Sequence, residues 1–320
     1  VGDDYIGLLG LISHEYFHTW NVKRLKPAEF APYDFAQENY TYLLWFFEGF
    51  TSYYDDLLLR RAGLIDDASY LKLLTKTINH VQQTPGRQVQ SVAQASYDAW
   101  IRYYRPDPHT PNTTVSYYTK GALVALCFDL SLRAHNHTLD ELMRRLWKRC
   151  QGGPLQEADV LAGLKELTGR SFEPELAAWV HGTDELPLEP LLQAQGVQVQ
   201  HKPAMPEQAL GLRLDQSQGI RVRMVLDGGA ASAAGMAPGD EWLGIELPAD
   251  SARQQAAQGW RLHKLEELAL YAGSATQVTA LVARDQRLLR LPLELPQGVT
   301  SWKLLPADSA AEPKRVWPGA

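Results

Sequence analysis

Two histidines and a glutamate near the start of the chain stand at a spacing that can bind a metal ion. They are His14, Glu15 and His18 of the run H-E-Y-F-H, inside the apolar segment 5–20. In a helix, positions i and i+4 lie on one face about one turn apart, so the two histidines could bind one zinc ion. Glu15 would flank that ion and could take a proton from a water molecule. The pattern predicts a zinc-dependent hydrolase, and first of all a peptidase.

A catalytic zinc site needs a third protein ligand, and the sequence offers Glu48 for it. Glu48 is the single acid in the apolar run 42–50, which predicts a position on a buried helix. Asp55 follows two helical turns later on the same face, and it could accept the free ring N–H of a ligating histidine. Asp56 is the adjacent alternative, and we expect it to be solvated. The predicted ligands are therefore the two histidines and Glu48. Asp55 is predicted to hydrogen-bond a ligating histidine without binding the ion itself.

A purely structural interpretation competes with the metal site. The two histidines could be packed in a core, and Glu48 could be a core carboxylate paired with an Arg or a Lys. Residues 6–12, before the motif, are apolar nearly all round, which predicts a buried helix. A carboxylate and two imidazoles at the end of such a helix are unfavourable unless they are paired or bound to a metal ion. This energetic penalty favours the metal site.

Three stretches of sequence together resemble one peptidase family. They read H-E-Y-F-H-T-W-N-V-K-R-L-K-P (14–27), E-N-Y-T (38–41) and L-W-F-F-E-G-F-T-S-Y-Y (44–54). The chain resembles the glycyl aminopeptidase family, gluzincin metallopeptidases related to aminopeptidase N that carry a C-terminal PDZ domain. The resemblance implies one Zn²⁺ per chain, with Glu48 as its third ligand in an N-E-G-F-type motif.

The same resemblance implies a further catalytic group and an activity. Aminopeptidase N-like enzymes carry a Tyr-x-Lys-Gly motif, which here begins at Tyr118, just before the apolar segment 122–132. The Tyr118 hydroxyl would stabilise the oxyanion of the transition state. Tyr117 is the neighbouring competitor, and an aromatic anchor at a helix start is the structural alternative. The implied activity removes N-terminal residues from peptides, with Gly or Ala preferred, through a zinc-activated water and Glu15 as general base.

Composition excludes some classes of protein. The chain has 320 residues, 45% of them apolar and 21% charged, and its net charge is −6. This mild acidity argues against a nucleic-acid-binding surface, and charged residues interrupt every apolar run that could span a membrane. Cys127 and Cys150 form no recognisable disulfide framework, and we expect Cys127 to be a small core residue. We predict a cytoplasmic protein, with the periplasm as the alternative.

The predicted secondary structure changes near residues 186–190, and this change divides the chain into two parts. Before this point it reads as mostly helical, with helix ends at Asp66, at the pair Thr138 and Glu141, and at Gly169. After it, short strands are predicted over 197–200, 210–214, 220–225, 241–245, 278–283 and 288–293. We predict a multi-domain α+β chain. It comprises a mostly helical, thermolysin-like (gluzincin) catalytic domain over 1–185, a PDZ-like β domain over 186–305 and a C-terminal tail over 306–320.

The PDZ-like domain suggests a peptide-binding groove. Segment 228–240, rich in small residues and ending in P-G-D, resembles the small-residue helix and turn of a bacterial PDZ domain. Leu210, Gly211 and Leu212 would then form the loop that binds a peptide carboxylate, and 264–271 the helix lining the groove. A peptide or a protein C-terminus would add as a strand to the sheet edge. The alternative is a PDZ fold that serves only as a packing module.

The sequence differs from the family pattern at its N-terminal end. Family members have an N-terminal β-rich part before the zinc helix, and a motif there binds the substrate amine. Only thirteen residues precede His14 here, so we expect the chain to be a piece of a larger protein. The expected partners are peptides with a free N-terminus. Two other functions compete: a PDZ-type peptide-binding scaffold with an inactive metal site, and a zinc endopeptidase.

Overall fold

The computed structural model describes residues 2–249, 256–306 and 317. It is a mixed α and β structure with two hydrophobic cores. Across these residues, no helix combines the length and the apolar character needed to cross a membrane. The predicted tail lies outside the described residues except for its first residue and Trp317, which packs into the first core.

Helices build most of the first core. They are α1 (Asp3–Phe17), α2 (Leu44–Phe47), α3 (Gly49–Arg61), α4 (Asp67–Gln82), α5 (Val92–Tyr97), α6 (Thr110–Thr113), α7 (Thr119–Arg133), α8 (Leu139–Arg149), α9 (Glu157–Thr168), α10 (Glu173–Leu176) and α11 (Leu188–Ala194). Short 3₁₀ helices lie at Ala28–Phe30 and Pro85–Gln88, and π-helical turns at Ala99–Tyr103 and Ala177–His181. Two short strands, β1 (Lys26–Pro27) and β2 (Pro154–Leu155), pair in parallel.

The predicted helix ends in this part are confirmed. The Asp66 side chain accepts the Ser69 N–H at 2.8 Å and so caps α4. Thr138 and Glu141 form the expected capping box at the start of α8. Gly169 ends α9 in the left-handed conformation, which glycine adopts without a steric penalty.

Helix α7 runs through the centre of the first core and packs closely on α3. Its residues 120–132 are all buried. A Cβ atom added to Gly49 would lie 2.6 Å from main-chain carbon atoms of Gly121, so the two backbones touch directly. Glu48 immediately precedes Gly49, and Tyr118 lies about one turn before Gly121. The glycine contact therefore fixes the distance between the segments that carry Glu48 and Tyr118.

The prediction that the first helix is buried is wrong. Helix α1 has no fully buried residue. Its exposed large apolar side chains are Tyr5, Leu8, Leu11, Ile12 and Tyr16. Among the described residues, α1 packs mainly on α3, with Ile6, Leu9 and Phe17 against the core. Apolar side chains all round the helix predicted full burial, but the described residues cover only one of its sides.

An antiparallel sheet forms the second core. Its strands are β4 (Leu212–Asp215), β5 (Ile220–Val225), β6 (Glu241–Leu247), β7 (Gln258–Arg261), β8 (Gln277–Arg284) and β9 (Arg287–Glu294). Their order is β4-β5-β6-β8-β9, with β7 also paired to β6, and the accompanying helices are α12 (Pro206–Leu210), α13 (Ala230–Ala233) and α14 (Glu267–Ala272). The four strand predictions between 220 and 293 are confirmed. The strand predicted over 210–214 starts too early, because α12 extends to Leu210 and a left-handed Gly211 ends it.

The two cores do not separate at residue 186. Strands β3 (Gln198–Pro203) and β10 (Thr300–Leu305) pair with each other and pack on α4 of the first core. The Asn79 side chain holds this pair, since it donates to the main-chain oxygen of Trp302 at 2.9 Å and accepts its N–H at 2.8 Å. Both ends of the predicted second domain thus belong to the first core, and the second core lies between them.

Candidate metal centre

The end of α1 and the junction between α2 and α3 bring three predicted ligands together. His14 and His18 lie one turn apart at the C-terminal end of α1. Glu48 lies between α2 and α3, where one helix ends and the next begins. The sequence predicted that Glu48 lies on a buried helix, but one helix ends and the next begins at this residue.

The ligand atoms form a compact triangle. Glu48 Oε2 lies 3.3 Å from His14 Nε2 and 3.2 Å from His18 Nε2, and the two nitrogens are 3.1 Å apart. Ligands at about 2.0–2.1 Å from a tetrahedral zinc ion lie about 3.3–3.4 Å from one another. The size of the triangle therefore suits such an ion. It is the one cluster of three possible ligands in the part of the chain that the structure describes.

The Nδ1 atoms of both imidazoles, which point away from the ligand triangle, face hydrogen-bond acceptors. His14 Nδ1 lies 3.1 Å from Asp55 Oδ2, and His18 Nδ1 lies 2.8 Å from the main-chain oxygen of Asn21. A carboxylate and a carbonyl only accept, so each Nδ1 carries the hydrogen and donates it. In neutral imidazoles the two Nε2 lone pairs then converge on a Glu48 carboxylate oxygen. Such convergence is repulsive unless a proton or a metal cation lies between the three atoms.

The pKa values of these groups reflect the same requirement. Burial lowers the pKa of His14, but Asp55 and Glu48 outweigh it and raise this pKa to about 9. The pKa of His18 is also raised, because its hydrogen bonds to Glu48 and to the Asn21 carbonyl outweigh burial. Burial raises the pKa of Glu48, yet the two histidines lower it to about 2. At neutral pH the site therefore attracts positive charge to the position that a metal ion would take.

Glu15 lies on α1 about 60° around the helix axis from His18. It is exposed and makes no side-chain hydrogen bond or ion pair with the described residues. Its carboxylate is thus free to contact a water molecule or a substrate.

Asp56, the alternative to Asp55, does not contact the histidines. Its carboxylate lies against α1, where a Cβ atom on Gly10 would be 3.4 Å from its Oδ1. Burial, and then the charge of Asp55, raise the pKa of Asp56 to about 7. Asp56 is thus half-buried against α1, and not fully solvated as expected.

Tyr118 borders the ligand triangle at the start of α7. Its ring centroid lies 6.2 Å from that of His14, and burial followed by the negative charge of Glu48 raises the pKa of its hydroxyl. Tyr117 is fully buried, and its hydroxyl has no hydrogen-bond partner among the described residues. Of the two neighbouring tyrosines, Tyr118 is thus the one whose ring packs against a ligand.

Comparison with known proteins relates the chain to peptidases. Residues 7–124, which include all three ligands and Tyr118, match the model of the M61 glycyl aminopeptidase family. The resemblance to the glycyl aminopeptidases is confirmed. A crystal structure of an aminopeptidase N family protein from Idiomarina loihiensis is 33% identical, covers 96% of this chain and superposes with a TM-score of 0.83. No curated protein sequence matches the chain significantly.

The similarity to the Idiomarina protein covers only part of that protein's length. The chain spans 54% of the length of the Idiomarina protein. The match includes the second core as well as the first, since nearly the whole chain is covered. The similarity in fold therefore extends over both cores.

The residues predicted to bind a peptide carboxylate are already engaged within the chain. The Leu210 and Leu212 side chains are buried in the second core, and the Gly211 N–H donates to the Gln208 carbonyl at 3.2 Å. The Leu214 N–H, further along β4, donates to a Glu207 carboxylate oxygen at 2.9 Å. In this structure α12 thus supplies the acceptors for two main-chain donors that a peptide could have used.

Sequence reasoning missed Asn21. It is fully buried, and its carbonyl orients the His18 ring. An amide shortly after the metal-binding helix was the available signal, but its side-chain partners lie on two later helices, α2 and α3, and could not be identified from spacing.

Proposed function

We propose that this chain is the catalytic portion of a zinc-dependent aminopeptidase. His14, His18 and Glu48 would hold one Zn²⁺, with Asp55 and the Asn21 carbonyl orienting the imidazoles. The observation that carries the proposal is the triangle of ligand atoms with sides of 3.1–3.3 Å. Both histidines direct their Nε2 atoms toward the same carboxylate oxygen, which a cation would stabilise.

When bound, zinc would act as a Lewis acid that polarises a carbonyl oxygen and makes water more acidic. The residues of the chain would supply the rest of the chemistry. The exposed Glu15 carboxylate would accept a proton from water and pass it to the leaving amine. The Tyr118 hydroxyl, whose raised pKa keeps it protonated, would donate a hydrogen bond to the developing oxyanion.

Cleavage at a free N-terminus, rather than within a chain, is supported by the family match and by the aminopeptidase N family name of the structural relative. Preference for N-terminal Gly or Ala is supported by the same family resemblance. We also propose that the second core is a PDZ-like module. Its small-residue turn ends in a buried Asp240, which pairs with Arg284 at 2.7 Å.

The first test separates metal binding from catalysis. Wild-type protein should contain one zinc ion per chain by elemental analysis, His18→Ala should lose it, and Glu15→Gln should keep it but lose nearly all hydrolysis of glycyl peptides. Hydrolysis of an N-acetylated peptide as fast as the free one would instead identify an endopeptidase. A wild-type chain without zinc would leave the peptide-binding scaffold as the better explanation.

A further inference from the structure

One buried asparagine contacts a histidine ligand and also the residues that flank the carboxylate ligand. Asn21 lies three residues after His18, at the turn that follows α1, and is fully buried. Its side-chain nitrogen lies 3.5 and 3.2 Å from the main-chain oxygens of Phe46 and Phe47, and 3.2 Å from the Thr51 hydroxyl. These three acceptors flank the helix break at Glu48.

The break explains why a donor is needed there. Carbonyl groups at the end of a helix lack intrahelical partners and require another donor when they are buried. The Asn21 amide donates to the Phe46 and Phe47 carbonyls at the end of α2, and the Thr51 hydroxyl also donates to the Phe47 carbonyl, at 2.6 Å. The Asn21 carbonyl accepts from His18 Nδ1 at 2.8 Å. One residue thus orients a histidine ligand through its main chain and holds the segment carrying the carboxylate ligand through its side chain.

Backbone strain next to Asn21 indicates that the turn is held in place. Val22 has φ = +137°, a conformation that a β-branched residue rarely adopts. Such strain persists only where surrounding interactions determine the conformation. Asn21 provides them, since its N–H also donates to the Phe17 carbonyl at 3.1 Å. Its amide oxygen is buried without a partner among the described residues, so the side chain serves as a donor.

We propose that Asn21 is a positioning residue of the metal centre. It sets the separation between His18 and Glu48 by joining the turn after α1 to the α2–α3 junction. The inference rests on the proposed function, because it assumes that these ligands bind a metal ion. The competing explanation is that Asn21 is an ordinary core amide, whose loss lowers stability and leaves metal binding unchanged.

The test measures the affinity of the metal-free chain for Co²⁺, by competition with a chelator and by the visible absorption of the bound ion. Asn21→Ala should bind Co²⁺ about 10–100-fold more weakly, as is typical when outer partners of metal ligands are lost. Asn21→Asp, which keeps the shape but removes the amide donor, should show an altered Co²⁺ spectrum as well as weaker binding. Both effects are independent of catalytic turnover.

Asn112 provides a matched control. It is also a buried asparagine that bonds main-chain groups, donating to the Val225 oxygen at 2.9 Å and accepting the Asp227 N–H at 3.0 Å. Asn112→Ala should therefore lower the melting temperature as Asn21→Ala does, but leave the Co²⁺ affinity unchanged. If Asn21→Ala fails to fold, Thr51→Val removes one of the three acceptors at nearly constant shape, together with the hydrogen bond that the Thr51 hydroxyl donates to the Phe47 oxygen at 2.6 Å. It should still weaken Co²⁺ binding several-fold.

The outcomes distinguish the two proposals. Wild-type affinity for Co²⁺ in Asn21→Ala, or in Thr51→Val if only that variant folds, overturns the positioning role and leaves the proposed function intact. Equal weakening in Asn21→Ala and Asn112→Ala also overturns it, because general destabilisation would then explain the loss. A wild-type chain that does not bind Co²⁺ overturns the proposed function and this role together.

Discussion

The contact between Gly49 and Gly121 should control both stability and the metal centre. In a Gly49→Ala variant, the new methyl carbon would lie 2.6 Å from Gly121 main-chain carbons and 3.0 Å from the Tyr117 oxygen. Carbon atoms normally approach to about 3.5–4.0 Å, so α3 and α7 must move apart by about 1 Å. The obstructing atoms belong to the backbone of a buried helix, and no side chain can rotate away. We expect a loss of about 3 kcal/mol, at the upper end of the range for overpacked cores.

A second glycine gives the control for this prediction. Gly7 lies within α1, and a Cβ atom added there meets no atom within 4 Å. Gly7→Ala should therefore raise stability by about 0.5–1 kcal/mol through helix propensity alone. Urea unfolding followed by circular dichroism at 222 nm would compare the two variants with the wild type.

The functional part of the prediction uses Co²⁺ affinity. Because Glu48 is next to Gly49, separating the helices should displace its carboxylate from the histidines and weaken Co²⁺ binding by Gly49→Ala but not by Gly7→Ala. Two results would refute the reasoning: a Gly49→Ala protein as stable as the wild type, or one that is less stable but binds Co²⁺ equally well.

Three further predictions concern ionisation and catalysis. The folded pKa of Asp56, about 7, exceeds its value of 3.8 outside the fold, so its ionisation opposes folding increasingly as pH rises through this interval. Asp56→Asn should therefore stabilise the chain by about 1–2 kcal/mol at pH 8, after allowance for partial solvent exposure, and have little effect at pH 4. Equal effects in urea unfolding at the two pH values would contradict this. Since the pKa of His14 is raised to about 9, metal-free protein carries its proton at pH 7, and metal binding should release at least one proton. Calorimetry in buffers of different ionisation enthalpy measures that number, and a value of zero would refute the assignment. Tyr118→Phe should keep its Co²⁺ affinity and lose about 10²–10³-fold in kcat on glycyl peptides, whereas Tyr117→Phe should not, so similar kcat values for the two variants would exclude the oxyanion role.

The parts of the fold that depend on local sequence could be predicted. Asp66 and Gly169 mark helix ends through interactions within a few residues, and both were found where expected. The pairing of His14 with His18 is equally local, because one turn of helix fixes it. For the same reason most strands of the second core were predicted, as their alternating burial can be read from each segment alone.

Features that depend on distant contacts could not be predicted. The exposure of α1 depends on what packs against it, and its composition carries no information about that. The pairing of β3 with β10 joins residues about a hundred positions apart in the chain and assigns both strands to the first core. The helix break at Glu48 is stabilised by the Asn21 amide, which comes from a different element.

These distant contacts explain why a correct motif is not yet a metal site. The H-E-x-x-H run fixes two ligands relative to each other, but the third ligand reaches them only if its helix lies within about an ångström of the right position. Residues without metal-binding chemistry determine that position: two glycines that let α3 and α7 touch, and one asparagine that joins the end of α1 to the α2–α3 junction. A substitution at any of these three positions leaves every ligand in the sequence. It should nevertheless lower the affinity for a metal ion, as the loss of a hydrogen-bond partner of a metal ligand does. The spacing of the ligand triangle is thus a property of the core, and metal affinity should follow the integrity of the core contacts around Glu48.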